Sequence, residues 1–203
     1  MDLMCRRYNI TNHSIGSDGL LNVDSDVSIN TNFTPNLNGK LPLRFGVVTG
    51  DFNCGSNRLT SLSGSPRKVG GDFSCGYNRL TSLSGGPEEV GGDFSCFEND
   101  ITSLSGSPIR VGNTLVCENN KILSLEGIPE SRHNYFVGNP IFYVAHAFVN
   151  ETGKKSALIE LFNDTDIIRG NEIIYDRLVW FFEEIGLELP DMNRIEEHYK
   201  IIR

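Results

Sequence analysis

Residues 69–89 read "VGGDFSCGYNRLTSLSGGPEE", and residues 90–110 return as "VGGDFSCFENDITSLSGSPIR". At the same spacing of 21 residues, the phrase also begins at Val48 and, in a more divergent form, at Val111. A fixed period of this length is typical of a solenoid, in which each copy forms one coil and buries its apolar face against its neighbours. The repeat therefore decides the fold.

Two weaker copies flank the four clear ones. Upstream, Val27, Ile29 and Asn32 keep the spacing of the apolar and asparagine positions and indicate a degenerate first copy. Downstream, the segment "NYFVGNP" predicts a partial fifth copy in which Phe136 falls in register with Leu115.

Each copy follows the pattern F-x-C-x-x-N-x-L-x-x-L. The alternation in F-x-C predicts a short strand with two inward side chains, and strands of neighbouring copies would pair as a parallel sheet. An asparagine amide can bond backbone N–H and C=O groups inside the bend that follows. Ser-Gly-x-Pro then forms a second turn. The stacked asparagines are Asn57, Asn78, Asn99 and Asn120.

The L-x-x-N-x-L-x-x-L core resembles a leucine-rich repeat of the short bacterial type. The whole phrase, with its lead-in "LPLRFGVVTGDFNC", resembles a repeat of tailed-bacteriophage proteins and covers about residues 22–140. The resemblance implies an α/β repeat fold, a leucine-rich-repeat-like solenoid with a parallel sheet. It does not cover the last 63 residues, for which we expect a C-terminal helical segment on other grounds. One departure is the step of four residues from Val90 to Phe94, where three are usual, which predicts a local bulge.

Three regions follow along the chain. Residues 1–47 form an N-terminal flank with the degenerate first repeat, residues 48–140 the solenoid, and residues 141–203 a helical segment. This last segment either caps the open end of the solenoid, where strand edge and core would otherwise be exposed, or forms a separate partner-binding or dimerisation element.

The helical spacing of apolar residues supports helices in the C-terminal segment. The stretches "PIFYVAHAFVN" and "KKSALIELFND" predict short helices, "NEIIYDRLVWFFEEIGLE" a longer one that ends at Gly186, and the tail a last helix capped by Asp191. Trp180, Phe181 and Phe182 are consecutive and cannot all face one side of a helix.

The repeat places cysteines at an inward strand position, which predicts buried apolar thiols. A disulfide or metal role is the alternative, because adjacent strands lie about 4.8 Å apart; metal sites, however, favour closely spaced cysteine pairs. An unpaired thiol ladder indicates a reducing compartment. Cys5 stands alone in an N-terminus expected to be loose. The repeating thiols are Cys54, Cys75, Cys96 and Cys117.

Charge and composition exclude several classes of function. The net charge is −8, and the sequence has no cluster of Lys and Arg that could form a basic stripe, so nucleic-acid binding is not expected. No apolar run approaches the roughly 20 residues that cross a bilayer, and the first residues lack a signal-peptide pattern, which predicts a cytoplasmic protein without a membrane partner. The histidines, serines and glycines form no catalytic or phosphate-binding motif. We therefore expect no enzyme activity, no cofactor and no metal.

Comparison of the copies separates scaffold from surface. The strand, asparagine, leucine and proline positions barely change, whereas the positions after the cysteine and after the asparagine vary. Outward positions also drift without any function, but Tyr77 and Phe97 would be exposed neighbours, and aromatics among charges are the composition of a binding hot spot. The charged residues that flank them are Arg58, Arg79, Glu98 and Asp100.

A second outward column contains Asp51, Asp72 and Asp93. Three stacked carboxylates repel one another unless something compensates. Either a basic group of a partner or the backbone N–H groups of the turn could do so.

These features predict a noncatalytic protein-binding module. The resemblance to phage proteins implies a phage-encoded factor that acts in the host cytoplasm and binds and modulates or inhibits a host protein, for example a defence component. The alternative is a structural or assembly component of the virion.

Overall fold

A computed structural model describes residues 2–29, 39–149 and 155–203. Over these residues the chain is a β-solenoid of about five coils, with parallel sheets and a few helices that include a C-terminal one. The α/β repeat solenoid predicted from the 21-residue period is confirmed. No helix within the described ranges is both long and apolar enough to cross a membrane.

The strands are short, and each coil before the fifth contributes to two sheets, whereas the fifth contributes only β12 to the second sheet. The elements up to the fifth coil are α1 (Asp2–Arg7), β1 (His13–Ile15), β2 (Leu21–Val23), β3 (Val27–Ser28), β4 (Phe45–Val48), β5 (Phe52–Asn53), β6 (Lys68–Val69), β7 (Phe73–Ser74), β8 (Glu89–Val90), β9 (Phe94–Ser95), β10 (Arg110–Val111), β11 (Thr114–Val116) and β12 (His133–Tyr135).

The first sheet has the order β1-β2-β4-β6-β8-β10 and the second β12-β11-β9-β7-β5-β3. Pairing is parallel throughout, apart from the antiparallel β1–β2 hairpin. The four-residue step from Val90 to Phe94 is not a bulge inside a strand: it is the corner between β8 in one sheet and β9 in the other. Glycine is needed at this corner, because a Cβ on Gly92 would overlap the carboxylate of Asp72 on the preceding coil.

The core runs between the two sheets as stacked columns. The rings of Phe52, Phe73 and Phe94 lie nearly parallel, with centroids 5.6 and 5.3 Å apart. The four cysteines of the repeat are fully buried beside them, as predicted. Cys5 differs from the prediction: it lies in the core with no exposed surface, because α1 packs on the first coils.

The asparagine ladder forms as predicted. Asn99 donates to Cys96 O at 3.0 Å within its own coil and to Cys75 O at 3.1 Å on the preceding coil. Its Oδ1 accepts from Leu80 N at 3.0 Å. Each amide thus bonds backbone N–H and C=O groups of the bend that have no partner among the described residues of either sheet, and it links two neighbouring coils.

The upstream copy pairs in the predicted register, whereas the downstream copy pairs in a register shifted by two residues. Val27 pairs with Phe52, as the degenerate first copy predicts, whereas Asn32 lies outside the described residues. In the fifth coil the prediction for Phe136 is wrong, because Leu115 pairs with Asn134, only 19 residues further on. This coil is two residues shorter, so Phe136 occupies the cysteine column.

The C-terminal segment mixes helices with a small sheet. Its elements are α2 (Phe142–Ala145), α3 (Lys155–Asp164), β13 (Ile168–Arg169), β14 (Glu172–Ile174), α4 (Tyr175–Ile185), α5 (Met192–Glu196) and β15 (Lys200–Ile202). Gly186 ends α4 in the left-handed conformation, and Asp191 accepts from Asn193 N at 3.0 Å, as predicted. Residues 172–174 and 200–202, expected to be helical, instead pair as parallel strands, where β-branched isoleucines are favoured.

The segment packs on the last coils. The hydroxyl of Tyr199 donates to Leu123 O at 2.7 Å, and Ile141 N donates to Ile122 O at 3.0 Å. Phe181 and Phe182 are fully buried, whereas Trp180 points outwards with 47% of its surface exposed. These hydrogen bonds hold the segment against the last coils.

Candidate protein-binding site

The aromatic pair predicted from the repeat lies together on the surface. Tyr77 and Phe97 are on neighbouring coils, with ring centroids 4.8 Å apart in an edge-to-face arrangement of 79°. Tyr77 is 59% exposed, which is high for a ring already in contact with a second ring. Edge-to-face contacts between aromatic rings are favourable beyond the area they bury.

The backbone holds Tyr77 outwards at the asparagine bend. Its φ of 54° is left-handed, as are those of the equivalent residues Ser56, Glu98 and Asn119. Such a conformation costs a non-glycine residue roughly 1–2 kcal/mol. It persists because the coils fix it: Tyr77 N donates to Phe97 O at 3.1 Å, and Asn78 bonds the bend from inside.

Phe97 depends on a glycine in the preceding coil. A Cβ built on Gly76 would lie 2.6 Å from Cε1 of Phe97, so the ring covers the glycine closely. Gly76 and Phe97 stand in the same column of the repeat, immediately after the cysteine. The absence of a side chain in one coil therefore makes room for the ring of the next.

A groove of about 470 Å³ opens beside the aromatic pair. Outward residues of the second sheet form its floor, and the two rings form one wall. Small hydroxyl, amide and backbone groups dominate the rest. The lining residues are Ser28, Ile29, Asn53, Gly55, Ser56, Asn57, Ser74, Gly76, Tyr77 and Phe97.

The four charged residues predicted for the site have different surroundings. Asp100 pairs with Lys121 at 2.6 Å, and Glu98 accepts from Asn119 Nδ2 at 2.9 Å, so both make contacts with the next coil. Arg58 and Arg79 are exposed in the column just beyond Tyr77. The structure thus brings the two aromatic residues into contact, and the four charged residues lie beside them.

The aspartate column has a clear compensation. Asp51 Oδ1 accepts from Asp72 N at 2.8 Å, and Asp72 Oδ1 accepts from Asp93 N at 2.8 Å. Asp26 begins this series by accepting from Asp51 N at 2.9 Å, and Asp93 ends it at Thr114 N. Backbone N–H groups of the corner, one of the two compensations expected, therefore hold each carboxylate in place.

Sequence reasoning missed part of this face. Tyr135 and Val137 on the fifth coil are 50% and 48% exposed, and Val137 follows Phe136 as Phe97 follows Cys96. Alignment on a fixed period of 21 hides this equivalence. Alignment on Asn139, which accepts from Ile122 N as Asn120 does from Ile101 N, would have found it.

The cysteines present no reactive surface. The four cysteines of the repeat are free thiols, and Cys96 Sγ lies 3.3 Å from Cys117 Sγ. Burial raises the pKa of the Cys54 thiol to about 12 and that of Cys75 well above its ordinary value. In the described ranges, no three His, Cys, Asp or Glu side chains are grouped so that they could hold a metal ion.

No family model, curated protein or solved structure matches the chain.

Proposed function

We propose that this protein is a noncatalytic protein-binding module that engages its partner through Tyr77, Phe97 and the groove beside them. The observation that carries the proposal is the contact between exposed Tyr77 and half-buried Phe97, which the repeat scaffold holds in one arrangement. Buried aromatic anchors supply much of the energy of protein interfaces. A rigid pair loses little side-chain entropy on binding, which leaves more of the contact energy as affinity.

The partner we propose is a host protein. The support is the resemblance of the repeat phrase to tailed-bacteriophage proteins, which suggests a phage-encoded factor in the cytoplasm of the infected bacterium. Binding there would modulate or inhibit the host protein, for example a defence component.

A pull-down from the bacterial cytoplasm tests the proposal. The tagged protein is compared with Tyr77→Ala/Phe97→Ala and with a control, Ile109→Ala/Trp180→Ala, which removes apolar side chains that are 77% and 47% exposed elsewhere. Loss of a hot-spot aromatic costs about 2 kcal/mol or more, roughly 30-fold in affinity. We expect mass spectrometry to find a protein that wild type and control retain and the aromatic variant loses.

Equal capture by the aromatic variant and the wild type would contradict the proposed surface. Recovery of the protein itself from purified phage particles would instead favour a structural or assembly role in the virion.

A further inference from the structure

The groove beside Tyr77 and Phe97 has a second, charged border. We call Asp26, Asp51, Asp72 and Asp93 the aspartate row. The backbone is extended from Asp72 to Gly76, since Asp72 O, Ser74 O and Gly76 O accept in turn from the preceding coil at 2.8, 2.8 and 3.0 Å. Residues two apart in extended backbone face the same side, about 7 Å apart. Asp26, Asp51 and Asp72 therefore lie on the same side as Ser28, Asn53 and Ser74, two residues before each of them, so the aspartate row borders the groove floor.

The backbone N–H groups hold the aspartate row, but no ion pair among the described residues neutralises its charge. Its carboxylates repeat at the coil spacing of about 4.8 Å, and within the part of the chain that the structure describes, no Lys or Arg lies within ion-pair distance of them. The first sheet behaves differently: Lys68 pairs with Glu89 at 2.7 Å and lowers the pKa of its carboxyl group. Stacked charges on the first sheet thus form an ion pair, whereas the aspartate row beside the groove has none within the described ranges.

The carboxylates are also prepared for a ligand. In each, Oδ1 accepts a backbone N–H of the next coil, which fixes the side chain. The described hydrogen bonds leave Oδ2 of Asp51 and Asp72 without a donor. A cationic group would find these oxygens already oriented.

We propose that the partner inserts an extended, arginine-bearing basic segment into the groove, between the aspartate row and the aromatic pair. This inference rests on the proposed function and names the chemistry of its partner. A guanidinium group bonds carboxylates through a planar fork and stacks on aromatic faces, so it suits both borders of the groove. The amide and hydroxyl groups of Asn53 and Ser74 can bond the backbone of such a segment.

The flanking arginines set the side on which the basic segment lies. Arg58 and Arg79 are exposed beyond Tyr77, across the aromatic pair from the aspartate row. They repel a basic segment from that side, and the aspartate row attracts it on the other. The segment therefore occupies the groove floor and not the outer side of Tyr77.

A fluorescein-labelled peptide of four Arg-Gly units, with blocked ends, is a suitable probe by fluorescence anisotropy. The test variant, Asp51→Asn/Asp72→Asn/Asp93→Asn, keeps the oxygen that accepts each backbone N–H and removes only the charge. The control, Glu183→Gln/Glu184→Gln/Glu188→Gln, changes the net charge equally, from −8 to −5 (−8 + 3), on exposed residues at the end of α4 and beyond it.

We expect the asparagine variant to bind the peptide about tenfold or more weakly than the wild type, as the loss of several carboxylate contacts implies, and the glutamine control within about twofold. Thermal melts of both triple variants establish whether they are folded. If the triple asparagine variant is not folded, the single variant Asp72→Asn replaces it. Equal weakening in both triple variants, or no binding to wild type, would overturn the inference. The two proposals also separate: a partner lost by Tyr77→Ala/Phe97→Ala but kept by the asparagine variant would leave the aromatic site standing and the basic segment wrong.

Discussion

Replacement of Asn99 by alanine should test how the solenoid is held together. Its amide makes three close bonds to two coils: Leu80 N to Oδ1 at 3.0 Å, and Nδ2 to Cys96 O at 3.0 Å and Cys75 O at 3.1 Å. Alanine removes all three. Both carbonyls keep a second donor, since Asn78 bonds Cys75 O and Asn120 bonds Cys96 O at 2.9 and 3.0 Å. The Leu80 N–H, however, has no other hydrogen bond among the described residues.

The magnitude follows from this difference. One orphaned buried donor costs about 1–3 kcal/mol, and each bond lost from a carbonyl that keeps a partner about 0.5–1 kcal/mol. The free energy of unfolding should therefore fall by about 3 kcal/mol. For a chain of this length that corresponds to a decrease of roughly 6–12 °C in melting temperature.

Urea unfolding followed by circular dichroism measures the change. Asn113→Ala is the matched control, because Asn113 is exposed and its amide donates to the exposed side of Asp93 at 2.7 Å. Surface substitutions of this kind stay within about 0.5 kcal/mol. If Asn99→Ala costs no more than Asn113→Ala, the asparagine ladder does not stabilise the coils, and the reasoning fails.

Three further changes test other parts of the fold. Gly92→Ala should lower the free energy of unfolding by about 1–3 kcal/mol, because the new Cβ overlaps the Asp72 carboxylate, and denaturant titration measures the loss. Burial raises the pKa of the Cys54 thiol from its ordinary value of 9.0 to about 12, so the unfolded chain loses this proton at lower pH than the folded one. The free energy of unfolding should therefore be unaffected by this thiol below pH 9 and fall by about 1.4 kcal/mol per pH unit between pH 9 and 12, which unfolding measured at a series of pH values would show. Tyr199→Phe removes the bond to Leu123 O and should cost about 1 kcal/mol, with earlier protease cleavage of the C-terminal segment as a second measurement.

The coils were predictable because their sequence signal is repeated. Four copies give the same alternation at Phe94 and Cys96, the same bend at Asn99 and the same turn glycine, and each signal has a direct physical cause. The contact between Tyr77 and Phe97 followed from the same register. A period thus predicts both the core and the neighbours on the surface.

The unpredicted parts lie where the repeat ends. Asn134 replaces the expected Phe136 because the fifth coil lost two residues, a change that no second copy reveals. The strand at Glu172–Ile174 reads as helix locally and pairs only because Lys200–Ile202 returns to it, which is a long-range contact. The burial of Cys5 likewise depends on tertiary packing that its neighbours in sequence do not encode.

The aspartate row is a constant column of the repeat that also carries surface charge. Variation between copies indicates where a partner is recognised, and constancy indicates scaffold. Asp51, Asp72 and Asp93 are nevertheless constant and charged, with Asp51 and Asp72 exposed and Asp93 half-buried. One oxygen of each carboxylate binds the backbone of the next coil, so the scaffold requires the residue. The other oxygen and the charge remain on the surface. A constant column can therefore supply a general attraction for a basic segment, while the variable pair Tyr77 and Phe97 supplies the selectivity.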